Sequence, residues 1–198
     1  MLGLPSTTEV DVRLPKEAFY RNMRIDAAIK RAFVEGVESI EVANSVKPTT
    51  ANVADGDHIH EVMVVAVVPR GEGVPERVAR TIFAANKARI VVADATSGEL
   101  LVEDRGKIRR ASGVARLDIN GVNLDEVWSS ILAQIVLGEP WGEDVLARID
   151  RREKMEALRA EVIRLDKSCR KERQIARKNE LFTRMREKKA ELERLERE

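Results

Sequence analysis

Residues 61–68 read EVMVVAVV, a run of seven apolar side chains, most of them β-branched, directly before Pro69. The run is bounded by Asp-Gly-Asp at 55–57 and by Pro-Arg-Gly at 69–71. A run of this length and composition is typical of a strand that is buried on both faces. Residues 89–93 (RIVVA) form a second such run one helix length later, which predicts a parallel neighbour reached through a crossover helix. The chain is therefore predicted to fold around a central sheet.

The patterns on either side of this pair predict a mixed α/β domain over residues 1–142, with about five strands flanked by helices. Residues 100–102 follow a turn at 95–98 and are predicted to form a hairpin with 89–93. The remaining predicted elements are a surface arm over 2–8, one or two helices between Pro15 and Gly36 with a break at Asp26, strands over 37–46 and 114–119, a helix from Pro75, and a helix from Asn123 to Gly138.

From about residue 143 to 198 charged residues dominate, and apolar residues recur with coiled-coil spacing. The first stripe consists of Met155, Leu158, Val162, Leu165 and Cys169, whereas the later stripe, Leu181, Met185, Leu192 and Leu195, is in a different phase. This phase change favours an antiparallel helical hairpin that bends between 168 and 179. The alternative is one long coiled-coil helix, which would need a second chain and so make a homodimer.

The net charge of +1 conceals an asymmetry, because residues 1–146 carry 17 basic and 22 acidic side chains and residues 147–198 carry 18 and 12. The basic excess is concentrated near the predicted bend, in Lys167, Arg170, Lys171, Arg173, Arg177 and Lys178, opposed only by Glu172. Clustered basic side chains at the tip of a hairpin can contact phosphates. An ordinary solvated helix face has the same composition, and aromatic residues for base stacking are missing.

Two groups of residues are weaker candidates for a chemical site. His58 and His60 lie near three acids and would share one face of an extended segment, as two metal ligands do, but the sequence supplies no third ligand. Asp94 and Glu103 follow neighbouring strands, an arrangement that metal-dependent nucleases use to hold Mg²⁺. Arg105 stands where such nucleases carry lysine. Solvated loop and hairpin ends are the favoured interpretation of both groups.

Several functions lack any signal in this sequence. No phosphate-binding glycine motif and no nucleophile elbow is present, so no cofactor is predicted. A single cysteine, Cys169, permits no internal disulfide. No apolar run approaches the roughly 20 residues that cross a bilayer, and the N-terminus lacks the features of a secretory signal, so a cytoplasmic protein without membrane contact is expected.

Nearly the whole chain resembles an uncharacterised bacterial family, the domain of unknown function numbered 4391. The segments that carry the resemblance are LGLP at 2–5, PKE at 15–17, VKPTT at 46–50, GVNLD at 121–125 with Trp128, and RKNEL at 177–181. The family has no established activity and no catalytic residues to transfer. The resemblance implies a cellular setting beside helicases and DNA methyltransferases of restriction or phage-defence systems.

These observations favour a non-enzymatic accessory protein over an enzyme. The basic cluster is the predicted contact surface, with a protein partner expected first and nucleic acid second. A nuclease that uses Asp94 and Glu103 is the alternative, and it requires the two carboxylates to converge around a hard cation.

Overall fold

The computed structural model describes residues 2–22, 26–140 and 144–197. The chain forms two compact units, Met1–Glu143 and Asp144–Glu198. The domain boundary predicted between residues 142 and 143 lies outside the described residues. The predicted mixed α/β architecture, followed by a pair of C-terminal helices, is confirmed.

The described residues of the first unit contain one sheet of six strands whose order in space follows their order in the chain. The strands are β1 (Glu9–Arg13), β2 (Val37–Val46), β3 (Val62–Pro69), β4 (Arg89–Asp94), β5 (Leu100–Asp104) and β6 (Lys107–Ala111). Strands β3 and β4 are parallel, and every other neighbouring pair is antiparallel. The predicted central parallel pair and the β4–β5 hairpin are both confirmed.

Five α-helices accompany the sheet in the described residues: α1 (Glu17–Asn22), α2 (Ala27–Gly36), α3 (Pro48–Ala51), α4 (Glu76–Ala84) and α5 (Leu124–Leu132). The predicted helix break occurs at Asp26, whose carboxylate caps α2 by accepting a hydrogen bond from the Ile29 amide at 2.7 Å. Asn123 caps α5 in the same way through the Glu126 amide at 3.0 Å. These caps stabilise helix starts because they satisfy amides that have no partner within the helix.

The main core lies between one face of the sheet and helices α2 and α4. Phe33, Val78 and Ile82 are almost fully buried and belong to one cluster with Val65 and Val92 of the central strands. The Phe33 ring stacks on the Phe19 ring with 5.2 Å between their centres. Alternate residues of β3 and β4, such as Val64 and Val91, are also buried, so the central strands are covered on both faces as predicted.

The strand predictions differ from the structure in three segments. Strand β1, directly after the predicted surface arm, and strand β6, at 107–111, were not predicted individually, while the six strands of the sheet agree with the predicted number of about five. Residues 114–119 form no strand, although Leu117 is buried. The Leu117 amide donates to the Leu2 carbonyl at 2.9 Å, and the Asp118 amide donates to the Gln134 side chain at 2.8 Å. These hydrogen bonds, and not pairing with a neighbouring strand, hold the segment in place.

The second unit is an antiparallel helical hairpin made of α6 (Val145–Lys171) and α7 (Ile175–Arg197). The predicted bend is confirmed, and the alternative of one uninterrupted helix is excluded because residues 172–174 are not helical. None of the helices in the described part of the chain combines the length and the apolar character that crossing a membrane requires.

Candidate functional site

The turn at the tip of the hairpin contains neither glycine nor proline. The Glu172 carboxylate accepts hydrogen bonds from the Arg173 amide at 2.8 Å and from the Gln174 amide at 2.9 Å. The Glu172 amide itself donates to the Ser168 carbonyl at 3.0 Å, which closes the end of α6. One side chain thus satisfies amides at the start of α7 that would otherwise lack partners. The tip is therefore an ordered turn.

Hydrogen bonding also holds Glu172 in its charged form. The hydrogen bond from the Gln174 amide has the largest effect and lowers the pKa of this carboxyl. Partial desolvation raises the pKa, but by less. The Arg173 amide and the positive charge of Arg177 lower the pKa further. Glu172 is therefore ionised at neutral pH and is the single acidic residue between 167 and 178.

Apolar contacts and ion pairs between α6 and α7 keep the tip in place. The buried side chains near this end of the seam are Leu158, Leu165, Cys169 and Met185. The Cys169 thiol lies 3.8 Å from the Lys178 carbonyl across the turn. Further from the tip, Arg151 donates to the Leu195 carbonyl at 2.7 Å and Lys154 lies 3.2 Å from Glu191. The two helices therefore form a defined support for the exposed residues at the bend.

The basic residues predicted as a contact surface all lie exposed at this tip. We call them the basic tip, and its members are Lys167, Arg170, Lys171, Arg173, Arg177 and Lys178. Arg170 lies 2.9 Å from Asp166, and Arg177 lies 3.8 Å from Glu172. Within the described residues, Lys167, Lys171, Arg173 and Lys178 form no ion pair. Four exposed cations are therefore available to an anionic partner.

The structure does not bring Asp94 and Glu103 together. The Asp94 amide donates to the Glu99 carbonyl at 2.8 Å, so the aspartate stands opposite Glu99 in the β4–β5 ladder. Glu103 lies four residues further along β5, about 13 Å away at the usual strand rise. Ligands of one hard cation must all lie within about 2.6 Å of it. Asp94 instead accepts hydrogen bonds from the Thr96 and Ser97 amides at 2.8 and 3.0 Å and so closes the turn between the strands.

The two histidines lie on a loop that an aspartate of α5 holds. Asp125 accepts the Asp57 amide at 2.7 Å and lies 3.8 Å from the His58 ring, while His60 lies 3.0 Å from Asp55. Each histidine therefore has a different acidic neighbour. In the ranges that the structure describes, no three or more His, Cys, Asp or Glu side chains converge in a way that could hold a metal ion.

A cavity of about 150 Å³, which we call the acidic cavity, lies on strands β1–β3 and was not predicted from the sequence. Glu9 and Asp11 of β1 and Glu41 and Asn44 of β2 line it. These residues lie some 30 positions apart in the chain, and no local motif connects them. Only the register of the sheet, with Glu9 opposite Asn44, brings them together.

Comparison with known proteins gives a family and no further relative. The sequence model described as Domain of unknown function (DUF4391) matches residues 2–109 and 94–192. No curated protein and no solved structure matches the chain. Because the two matched ranges cover nearly the whole sequence, this chain belongs to the DUF4391 family.

Proposed function

We propose that this protein is a non-enzymatic interaction protein whose basic tip contacts the phosphate backbone of duplex nucleic acid. The observation that supports this proposal is the arrangement of the tip, where six exposed basic side chains face solvent and two acids, Asp166 and Glu172, pair only with Arg170 and Arg177. Four of the six form no ion pair within the described residues, so their donors are free to bind phosphate. The family resemblance suggests the setting, beside the DNA-modifying enzymes of a restriction or phage-defence system.

Phosphate contact at the basic tip should make the binding constant depend on salt concentration by a predictable amount. Each phosphate that a protein neutralises contributes about −0.9 to the slope of log K against log salt concentration. The four unpaired cations, Lys167, Lys171, Arg173 and Lys178, therefore predict a slope of about −3.6. Because the tip lacks aromatic side chains for stacking, we expect duplex binding without strong sequence preference.

The experiment is fluorescence anisotropy of a labelled DNA duplex with the full chain at several salt concentrations. We expect measurable binding at 50 mM salt that falls steeply by 200 mM. The double substitution Lys171→Glu and Arg173→Glu removes two unpaired cations and adds two repelling charges. It should abolish most of the binding and make the salt slope shallower by about 2.

A matched control exists on the same hairpin. Arg186 and Lys189 are exposed on α7 and form no ion pair with a described residue. At 1.5 Å per residue they lie about 17 Å and about 21 Å from the start of the helix at Ile175. Arg186→Glu with Lys189→Glu makes the same change in net charge away from the tip. If the control variant lost as much affinity as the tip variant, net charge alone would explain binding and the proposed contact would be rejected.

A second candidate function, docking of a partner protein, is supported by apolar side chains exposed on the same hairpin. Ile163, Ile175 and Phe182 expose 56%, 78% and 53% of their surface. Such side chains are typical of a helical surface that a partner covers. This function would be favoured if the wild-type chain retained a partner protein that a double variant, Ile175→Ser with Phe182→Ser, did not retain. Neither chain should then bind DNA.

A further inference from the structure

The acidic cavity is bounded by hydrogen-bond acceptors and carries no positive charge. Its polar lining consists of Glu9, Asp11, Glu41, Ser39 and Asn44, and its remaining wall is apolar, formed by Ala43, Ala66, Val68 and Ala95. In the part of the chain that is described, none of the three carboxylates forms an ion pair or accepts a side-chain hydrogen bond. Three carboxylates that share one cavity without a counter-charge favour binding of a cation.

Asn44 provides an independent indication of a missing donor. Its side chain is 1% exposed, and its Nδ2 group donates to the Thr8 hydroxyl at 3.0 Å. That hydroxyl donates its own hydrogen to the Pro5 carbonyl at 2.7 Å, so towards Asn44 it can only accept. The orientation of the amide is thereby determined, and the Asn44 Oδ1 atom has no hydrogen-bond partner. A buried acceptor without a donor is costly, and a ligand that carries N–H groups would satisfy it.

The backbone of β1 is irregular at the residue that completes the cavity. The register between β1 and β2 shifts between Glu9 and Val12, as at a β-bulge. Asp11 lies within this interval and has a φ of 48°, a left-handed conformation that aspartate adopts more readily than most residues. Bulges of this kind redirect a side chain and often occur beside binding sites.

We propose that the acidic cavity binds the guanidinium or primary ammonium group of an organic cation. The three carboxylates supply the charge, Asn44 Oδ1 supplies a further acceptor, and the apolar wall accommodates the alkyl chain that carries the cation. Cavities of about 150 Å³ are known to admit a ligand as large as benzene, which is comparable to a guanidinium with part of its chain. A metal ion is disfavoured because the described carboxylates do not converge as metal ligands do.

The experiment measures binding of two guanidinium probes to the full chain by isothermal titration calorimetry. Agmatine represents a free small cation, and N-acetyl-arginine amide represents an arginine of a bound protein. We expect saturable binding of at least one probe, with a shift of the Asn44 side-chain amide signals in ¹⁵N NMR spectra. Tighter binding of agmatine would indicate a metabolite, and tighter binding of the arginine amide would indicate a partner protein.

Two isosteric substitutions test whether the probe occupies this cavity. Asp11→Asn and Glu41→Gln each remove one charge, and asparagine also tolerates the left-handed conformation at position 11. We expect each to weaken binding about tenfold or more, since hydrogen bonds to charged groups are the strong ones. Glu103→Gln, a half-buried strand carboxylate outside the cavity, is the matched control and should leave binding unchanged.

Three results would overturn the proposal. The first is no saturable binding of either probe at millimolar concentration to a chain whose cooperative thermal unfolding shows that it is folded. The second is binding that Asp11→Asn and Glu41→Gln leave unchanged. The third is saturable binding of Mg²⁺ or Ca²⁺ alone that both variants abolish, because the cavity would then be an inorganic cation site.

Discussion

The sheet unit and the helical hairpin are stabilised by different means. In the sheet unit, Phe33 and Val67 are fully buried within a continuous apolar cluster. In the hairpin, helices of 27 and 23 residues contain only six buried side chains between them. Exposed ion pairs such as Arg159 with Glu196, at 2.7 Å, also connect the two helices.

Because of this difference, the stability of the two units should respond differently to salt. Apolar burial dominates folding energetics and is insensitive to salt, whereas exposed ion pairs contribute little and are screened by salt. A unit whose surface is charged can present many cations to a partner without disturbing a core. Four tests, taken from the largest expected effect to the smallest, measure how far the two units differ.

The largest effect is expected in the sheet unit from Phe33→Ala. Phe33 is fully buried and stacks on Phe19, so the substitution removes a whole ring from the core and leaves a cavity. Such changes cost about 3–5 kcal/mol of unfolding free energy. Urea unfolding followed by circular dichroism measures the loss. A cost below about 1 kcal/mol would mean that this cluster does not dominate the stability of the unit.

In the hairpin, Leu165→Ala should have a smaller effect. Leu165 is 5% exposed in a seam between only two helices, which can collapse around a deleted side chain. We expect a loss of about 2 kcal/mol, at the lower end for buried leucine. Hydrogen exchange of the α6 amides in the full chain measures it. A loss equal to that of Phe33→Ala would remove the contrast between the two units.

Asp104→Asn tests a buried ion pair in the sheet unit. The Asp104 side chain is 4% exposed, and Arg109 donates to it at 3.1 Å. Burial opposes ionisation of Asp104, but hydrogen bonds from Arg105 and Arg109 outweigh it and hold the pKa below the ordinary value of 3.8. Loss of the carboxylate leaves buried charge without its partner, and we expect a cost of about 1–3 kcal/mol at pH 7.

The pH dependence of this cost follows from the direction of the shift. A carboxyl whose pKa is lowered by folding contributes its full stabilisation above the unfolded pKa and loses it as the pH falls through the folded pKa. The difference in unfolding free energy between the wild type and Asp104→Asn should therefore be constant above about pH 5 and shrink below 3.8. A difference that stays constant down to pH 2 would contradict this account.

The smallest effect is expected from the exposed pair Arg159 and Glu196. Their side chains are 53% and 41% exposed, so solvent screens the attraction. A double-mutant cycle with Arg159→Ala and Glu196→Ala should give a coupling energy of about 0.2–1 kcal/mol that decreases in high salt. A coupling above about 2 kcal/mol would place the hairpin ion pairs on a level with apolar burial.

The predictions from sequence were accurate where one element carries its own signal. Strands β3 and β4 were predicted because their apolar runs require burial on both faces, and the hairpin was predicted because two apolar stripes differ in phase. Strands β1 and β6 escaped notice because their residues, EVDVR and KIRRA, are largely exposed or half-buried. Residues 114–119 alternate like a strand, but they bond to Leu2 and Gln134 instead of a neighbouring strand.

The sequence by itself therefore determined which segments are buried and where the positive charge is concentrated, since both follow from residue type and spacing. Tertiary structure alone decided which distant side chains meet. It separated Asp94 from Glu103 through the β4–β5 register, and it placed Glu9 opposite Asn44 through the pairing of β1 with β2. The physical reason is that strand register depends on contacts summed over the whole sheet, which no local pattern records.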